Sequence, residues 1–170
     1  MQSPTMYRLL LFGGISLEGP DGPVSGPVAQ RQRLGLLAVL AASRPGHVSR
    51  EKLVGLFWPE RPEEKARHSL ANSLYLIRKE MGEDAIQETG GGLRLNPDVV
   101  WCDVSAYRGA LARSGDAPDT PGRAAALEEA VALHRGPFLD GFYVPDAPDF
   151  QRWADAERRR LADRHGNALE

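Results

Sequence analysis

One stretch constrains the fold more than any other: Glu63 to Gly82, EEKARHSLANSLYLIRKEMG. At about 100° per residue, Leu70, Leu74, Ile77 and Met81 fall within roughly one-sixth of the helix circumference. An apolar stripe that narrow predicts a helix with one face on a core. Asn72 lies directly opposite. Lys65, His68 and Lys79 fall near it, Ser69, Tyr75 and Leu76 on its shoulders, and Arg67 and Arg78 on one flank.

The residues around this helix supply the rest of a small fold. MYRLLLF and ISLEG have strand character and are separated by Gly13-Gly14; the Gly- and Pro-rich run GPDGPVSGPVA predicts turns and short extended pieces. A first helix is expected over QRQRLGLLAVLAAS, stopped by Pro45-Gly46. A second is expected over VSREKLVGLFW, with Ser49 as N-cap and Pro59 and Pro62 ending it. After Gly82, AIQET and LRLN flank Gly90-Gly91-Gly92, a hairpin with a flexible tip. No helix and no Gly-Lys-Ser/Thr follow the glycines, which argues against a phosphate-cradling loop. Strands, three helices and a hairpin, with helices two and three joined by a short turn, make a winged helix-turn-helix.

A helix that enters a major groove packs one face on its own domain and offers donors from the other. Asn bonds adenine in a bidentate way, and Lys and His reach guanine or phosphate. Flanking arginines suit the backbone, which positions without specifying. The N-terminal half of such a helix goes deepest. The candidate base-reading residues are therefore Lys65, His68, Ser69 and Asn72, with Tyr75 beside them and Arg67 and Arg78 for phosphates. Arg94 in the hairpin is placed to meet the minor groove, and Arg31, Arg33 and Arg50 to add phosphate contacts. Taken singly, each of these residue types is also ordinary solvated surface. Leu76 is apolar on the outer face; a thymine methyl, a partner or the underside of the wing would each account for it.

Charge gives limited help. The net charge is -2, but residues 1–97 carry 12 Lys and Arg against 10 Asp and Glu, and residues 98–170 carry 9 against 13. A local basic patch fits the first part; the second is unsuited to tracking phosphates. With 42% hydrophobic residues, 170 residues suffice for one or two small domains with real cores. No run approaches the roughly 18 apolar residues of a membrane span, and the N-terminus lacks a secretory pattern. A cytoplasmic location is expected. The single cysteine, Cys102, excludes an internal disulfide, and its setting in VVWCDV reads as half-buried, inert packing.

From Trp101 onward the chain reads as helices. DVSAYRGALARSG has Asp103 as its expected N-cap; SGDAPDTPG is a loop; RAAALEEAVALHRG is Ala-rich; PFLDGFYVPDAPDF is a connector; and FQRWADAERRRLADRH lies in a last helix without a partner after it. Small residues and helix pairs suggest a helical-repeat packing, and the unpartnered last helix suggests a chain cut from a longer protein or one that ends early. Tyr143, Phe150 and Trp153 are expected to bury against the preceding helices rather than form a docking patch.

The combined pattern resembles the winged helix of OmpR-type DNA-binding domains, in the version found in antibiotic regulatory proteins, the SARP family. The residues that carry the resemblance are Ser49-Arg50-Glu51-Lys52-Leu53, Trp58, Ala66-Arg67-His68-Ser69-Leu70, and Arg78 to Gly82. WCDVSAYRGAL, ALEEAVALHRGPFLDGF and FQRWADAERRRLADRH resemble the bacterial transcriptional activator domain that follows it. The resemblance implies a mostly α protein with a small β component. Residues 1–98 would be the winged-helix DNA-binding domain and 99–170 the start of a TPR-like activator domain. It implies a recognition helix over Glu63–Met81, a wing over Ile86–Leu95, direct-repeat promoter sites on double-stranded DNA, self-association there, and recruitment of RNA polymerase. It implies no cofactor. Many relatives carry Arg at the position of Leu76, and this chain lacks that cation.

Other classes find little support. His47, His68, His134 and His165 have no metal-ligand spacing, and no Ser-His-Asp context or Gly-x-Ser-x-Gly occurs. The chain is not expected to be an enzyme. The alternative is a protein-interaction module whose winged helix no longer binds DNA. What separates the two is whether Lys65, His68 and Arg94 line one basic surface.

Overall fold

The computed structural model describes residues 6–44 and 46–169. The chain is mostly α with a small β component: a winged helix-turn-helix followed by further helices. Strands β1 (Tyr7–Leu10), β2 (Ser16–Gly19) and β3 (Gly22–Pro23) form an antiparallel meander. Helices α1 (Arg31–Ala42), α2 (Arg50–Phe57) and α3 (Glu63–Met81) follow, then the wing strands β4 (Ile86–Thr89) and β5 (Gly92–Leu95). The predicted bounds of α3 and the wing match closely. Ser49 caps α2 as expected, its Oγ accepting from the backbone N–H of Lys52 at 3.1 Å.

Strand β6 (Val100–Cys102) was not foreseen. It pairs in parallel with β1, setting Tyr7 against Val100 and Leu9 against Cys102, and completes a sheet in the order β3-β2-β1-β6. Three residues in parallel pairing leave almost no local pattern, because their partner is some ninety positions away. The sheet therefore crosses the expected boundary at residue 98.

Helix α4 (Asp103–Asp116) starts directly after β6, followed by α5 (Thr120–Leu133) and α6 (Pro148–Leu169). Helix α5 begins before the expected Arg123, inside what read as a loop. Asp119 caps it by accepting from the Gly122 N–H at 2.7 Å, and Pro121 is tolerated because the first turn needs no donor there. Asp103 does not cap α4. Its carboxylate reaches back to the sheet and accepts from the N–H groups of Leu11 (2.9 Å) and Phe12 (3.0 Å).

The helices after β6 share a core with the winged helix. Phe150 of α6 lies 5.2 Å from Phe57 of α2, both fully buried. Gly35 of α1 is the space they need, since a Cβ there would stand 3.0 Å from both Phe57 and Val144. The connector runs beside the continuation of β1: Gly13 N–H donates to Pro137 (2.9 Å) and Leu139 N–H to Leu11 (2.8 Å). Arg158 of α6 then donates to the Phe138 and Leu139 carbonyls. Phe150 is buried and Trp153 partly so, as expected, whereas Tyr143 is 54% exposed. Cys102 is buried, and burial, then the neighbouring Asp103 carboxylate, push its thiol up to about 12.

The wing is fixed near its turn by a second crossing. Val48 and Leu93 exchange both backbone hydrogen bonds at 2.8 Å. Gly92 beside them has φ +146, and a Cβ there would lie 2.3 Å from the Val48 carbonyl oxygen. We expect Gly92→Ala to cost about 2 kcal/mol in thermal unfolding and to free the wing, read as lost hydrogen-exchange protection at Val48 and Leu93.

Candidate nucleic-acid interface

Helix α3 is built from both its faces. Ala66, Leu70, Ser73, Leu74, Ile77 and Met81 are buried against the core. Glu63 and Glu64 in the first turn and Arg78 and Lys79 in the last suit the helix dipole. Gly82, at φ +101, ends it in a conformation costly for other residues.

The outward side carries an ordered stripe. Lys65, His68, Asn72, Tyr75 and Lys79 follow one another at helical spacing of three and four, and all five are exposed. Among the described residues, none of their side chains makes a hydrogen bond or ion pair within the protein. Tyr75 is the most conspicuous, at 59% exposure. From Lys65 to Asn72 the stripe spans about 10 Å along the axis, roughly three base-pair steps of B-DNA. Leu76 is half-buried at the edge of this face.

The other sequence-predicted residues are engaged inside the protein. Ser69 Oγ accepts from Arg61 Nη1 at 2.5 Å, which ties α3 to the turn preceding it. Arg67 is paired with Glu63 one turn earlier at 2.5 Å. Arg78 is half-buried and donates to the Ile86 carbonyl at 3.0 Å, fastening the helix end to the wing. Arg50 is paired with Glu88 of the wing. Arg33 donates to the Pro27 carbonyl and to Gln30. Arg94 is exposed on β5 and donates through Nε to Gln87 across the hairpin at 2.8 Å.

Arg31, exposed at the start of α1, is engaged by the connector. Its guanidinium lies 4.5 Å from the ring centre of Tyr143 and donates to the Tyr143 carbonyl at 3.3 Å. It ties the start of α1 to the connector. Periodicity places a residue on a face but does not say which neighbour will reach it first, so these partners were not readable in advance. Two residues of this surface were missed. Arg61 positions Ser69. Glu64, exposed in the first turn, sits close to the Lys65–His68 end and sets a negative charge beside it. Their signal was present in PERPEE, where PERP reads only as a turn between helices and Glu63-Glu64 only as the first turn of the third helix.

No family model matches the chain, and no curated protein matches it by sequence. A solved structure does, on geometry. The chain has the fold of EmbR from Mycobacterium tuberculosis. The similarity covers 97% of this chain at a TM-score of 0.70, with 22% sequence identity. The chain spans 44% of EmbR, whose structure was determined in complex with a low affinity phosphopeptide. At that identity the likeness to EmbR concerns the fold. Among the described residues no helix is long and apolar enough to cross a membrane.

Proposed function

We propose that this chain is a transcriptional regulator of the SARP type that binds double-stranded DNA with sequence preference. Helix α3 enters the major groove, and the β4–β5 wing lies along the neighbouring minor groove with Arg94 foremost. Asn72 reads a base edge, Lys65 and His68 reach bases or phosphate, and Tyr75 and Lys79 follow the groove outward. Arg67, Arg78 and Arg50 act chiefly by holding the reading helix and wing in place. Helices α4–α6 belong to a TPR-like activator domain whose task is contact with RNA polymerase or with a second copy on a direct repeat.

The observation that carries this reading is the unoccupied stripe from Lys65 to Lys79. It presents donors at regular spacing on a helix whose opposite face is core, beside a wing held to the same helix by Arg78. The SARP-like sequence pattern and the fold in common with EmbR support it.

The test is selection of bound duplexes from a random library at near-physiological salt. The expected result is an enriched motif, arranged as a direct repeat. Binding that is weak, salt-sensitive and without enrichment would overturn the reading and favour a winged helix turned to protein docking.

A further inference from the structure

Where the winged helix meets the later helices, the surface opens into a cleft of about 470 Å³. Its cations come from both sides. Arg44 follows α1 and Lys52 stands on α2; Arg108 comes from α4, and Arg160 and Arg164 from α6. A single carboxylate, Glu157, faces these five. It is nearly buried and already holds Arg108 at 3.1 Å and Arg160 beside it. Among the described residues, Arg44, Lys52 and Arg164 have no acidic partner.

So much like charge in one cleft is unfavourable without an anion. Arg108 registers the crowding: burial first, and then Arg44, hold its guanidinium below the ordinary arginine range. It cannot swing away, because Nη1 donates to the Ala42 carbonyl at 2.6 Å. Two further polar atoms at the wall, Arg108 Nε and Ser43 Oγ, are buried without a partner. The remaining wall is apolar, formed by Leu161 and the half-buried ring of Trp153. Cations beside an aromatic surface in a cleft of this size match phosphate groups attached to a planar ring.

We propose that this cleft binds a phosphorylated small molecule of the nucleotide class, its phosphates held by Arg44, Lys52, Arg160 and Arg164 and its ring against Trp153. The ligand touches both the winged helix and the helices that follow, so occupancy strengthens the junction between them. The inference does not rest on the reading of α3 as a DNA-binding helix.

Inorganic pyrophosphate and ADP are the probes, added to the full chain at constant ionic strength. At a hundredfold excess over the dissociation constant, each should raise the unfolding midpoint by about 5–10 °C. ADP should also quench the fluorescence of Trp153. Arg160→Gln with Arg164→Gln, both on the accessible side of α6, should abolish shift and quenching. Arg164→Gln alone, which removes a cation without an acidic partner among the described residues, should raise the midpoint of the ligand-free protein, because repulsion is relieved. Trp153→Phe should lose the quenching and keep the pyrophosphate shift. No shift with either probe would overturn the proposal, as would a shift that survives the double substitution. Should the double substitution weaken duplex DNA binding and nothing else, the cluster is a backbone contact and the proposal fails.

Discussion

Replacing Asp103 with alanine should destabilise the protein by about 4 kcal/mol, the sum of two buried donors left unpaired at roughly 1–3 kcal/mol each. The donors are the N–H groups of Leu11 and Phe12, and Asp103 is 1% exposed. For a chain of this size the unfolding midpoint should fall by about 8–16 °C. The loss should appear in both parts of the molecule at once, since Leu11 and Phe12 continue β1 and Asp103 opens α4. A midpoint within about 2 °C of the parent would mean that the two N–H groups find other acceptors.

The pH dependence adds a second readout. Burial raises the Asp103 carboxyl above its ordinary range, more than the hydrogen bonds from Leu11 and Phe12 lower it. A raised value in the folded state means that the native protein takes up this proton before the unfolded chain does. Stability from this group is therefore full below the unfolded carboxyl value, about 4, and is lost as pH rises through the folded one. The gap between the parent and Asp103→Ala should widen as pH falls from neutrality towards that window. Denaturant unfolding at several pH values measures it.

The other large effect concerns recognition. Lys65→Ala combined with Asn72→Ala should weaken binding to the selected duplex by about a hundredfold, roughly 3 kcal/mol. Most of that should come from Asn72, and only on the selected sequence. The Lys65 share should appear on random duplex as well and reduce the salt dependence by about one phosphate. Both side chains are exposed and, among the described residues, unpaired, so folding should be unaffected. Equal losses on selected and random duplex would remove Asn72 from base reading. Ser69 and Arg67 make useful contrasts, because their partners are Arg61 and Glu63.

What the sequence reveals here depends on whether the cause is local. The stripe Leu70, Leu74, Ile77 and Met81 identifies α3 and its buried side, and all four are buried. The Ser49 cap and the glycine-tipped wing are likewise written in neighbouring residues. Strand β6 is too short to show alternation, and its reason for existing is β1. Asp103 looks like a cap by its position and turns out to serve the sheet. The arginines are the most instructive group. Arg31, Arg50 and Arg78 looked alike as free cations near a groove. Tyr143, Glu88 and the Ile86 carbonyl distinguish them, and none of the three is predictable from spacing.

The parallel pairing of β1 with β6 sets a timetable for synthesis. Strand β2 follows β1 closely, so one edge of β1 is satisfied as soon as the first twenty residues have emerged. The other edge, and the N–H groups of Leu11 and Phe12, wait for Val100 to Asp103. At the usual pace of translation that interval is about 4–17 s. Throughout it the nascent chain presents an unpaired apolar strand, the kind of surface that pairs with strangers. The time the ribosome spends across residues 20–103 is therefore the time for which this edge stays open.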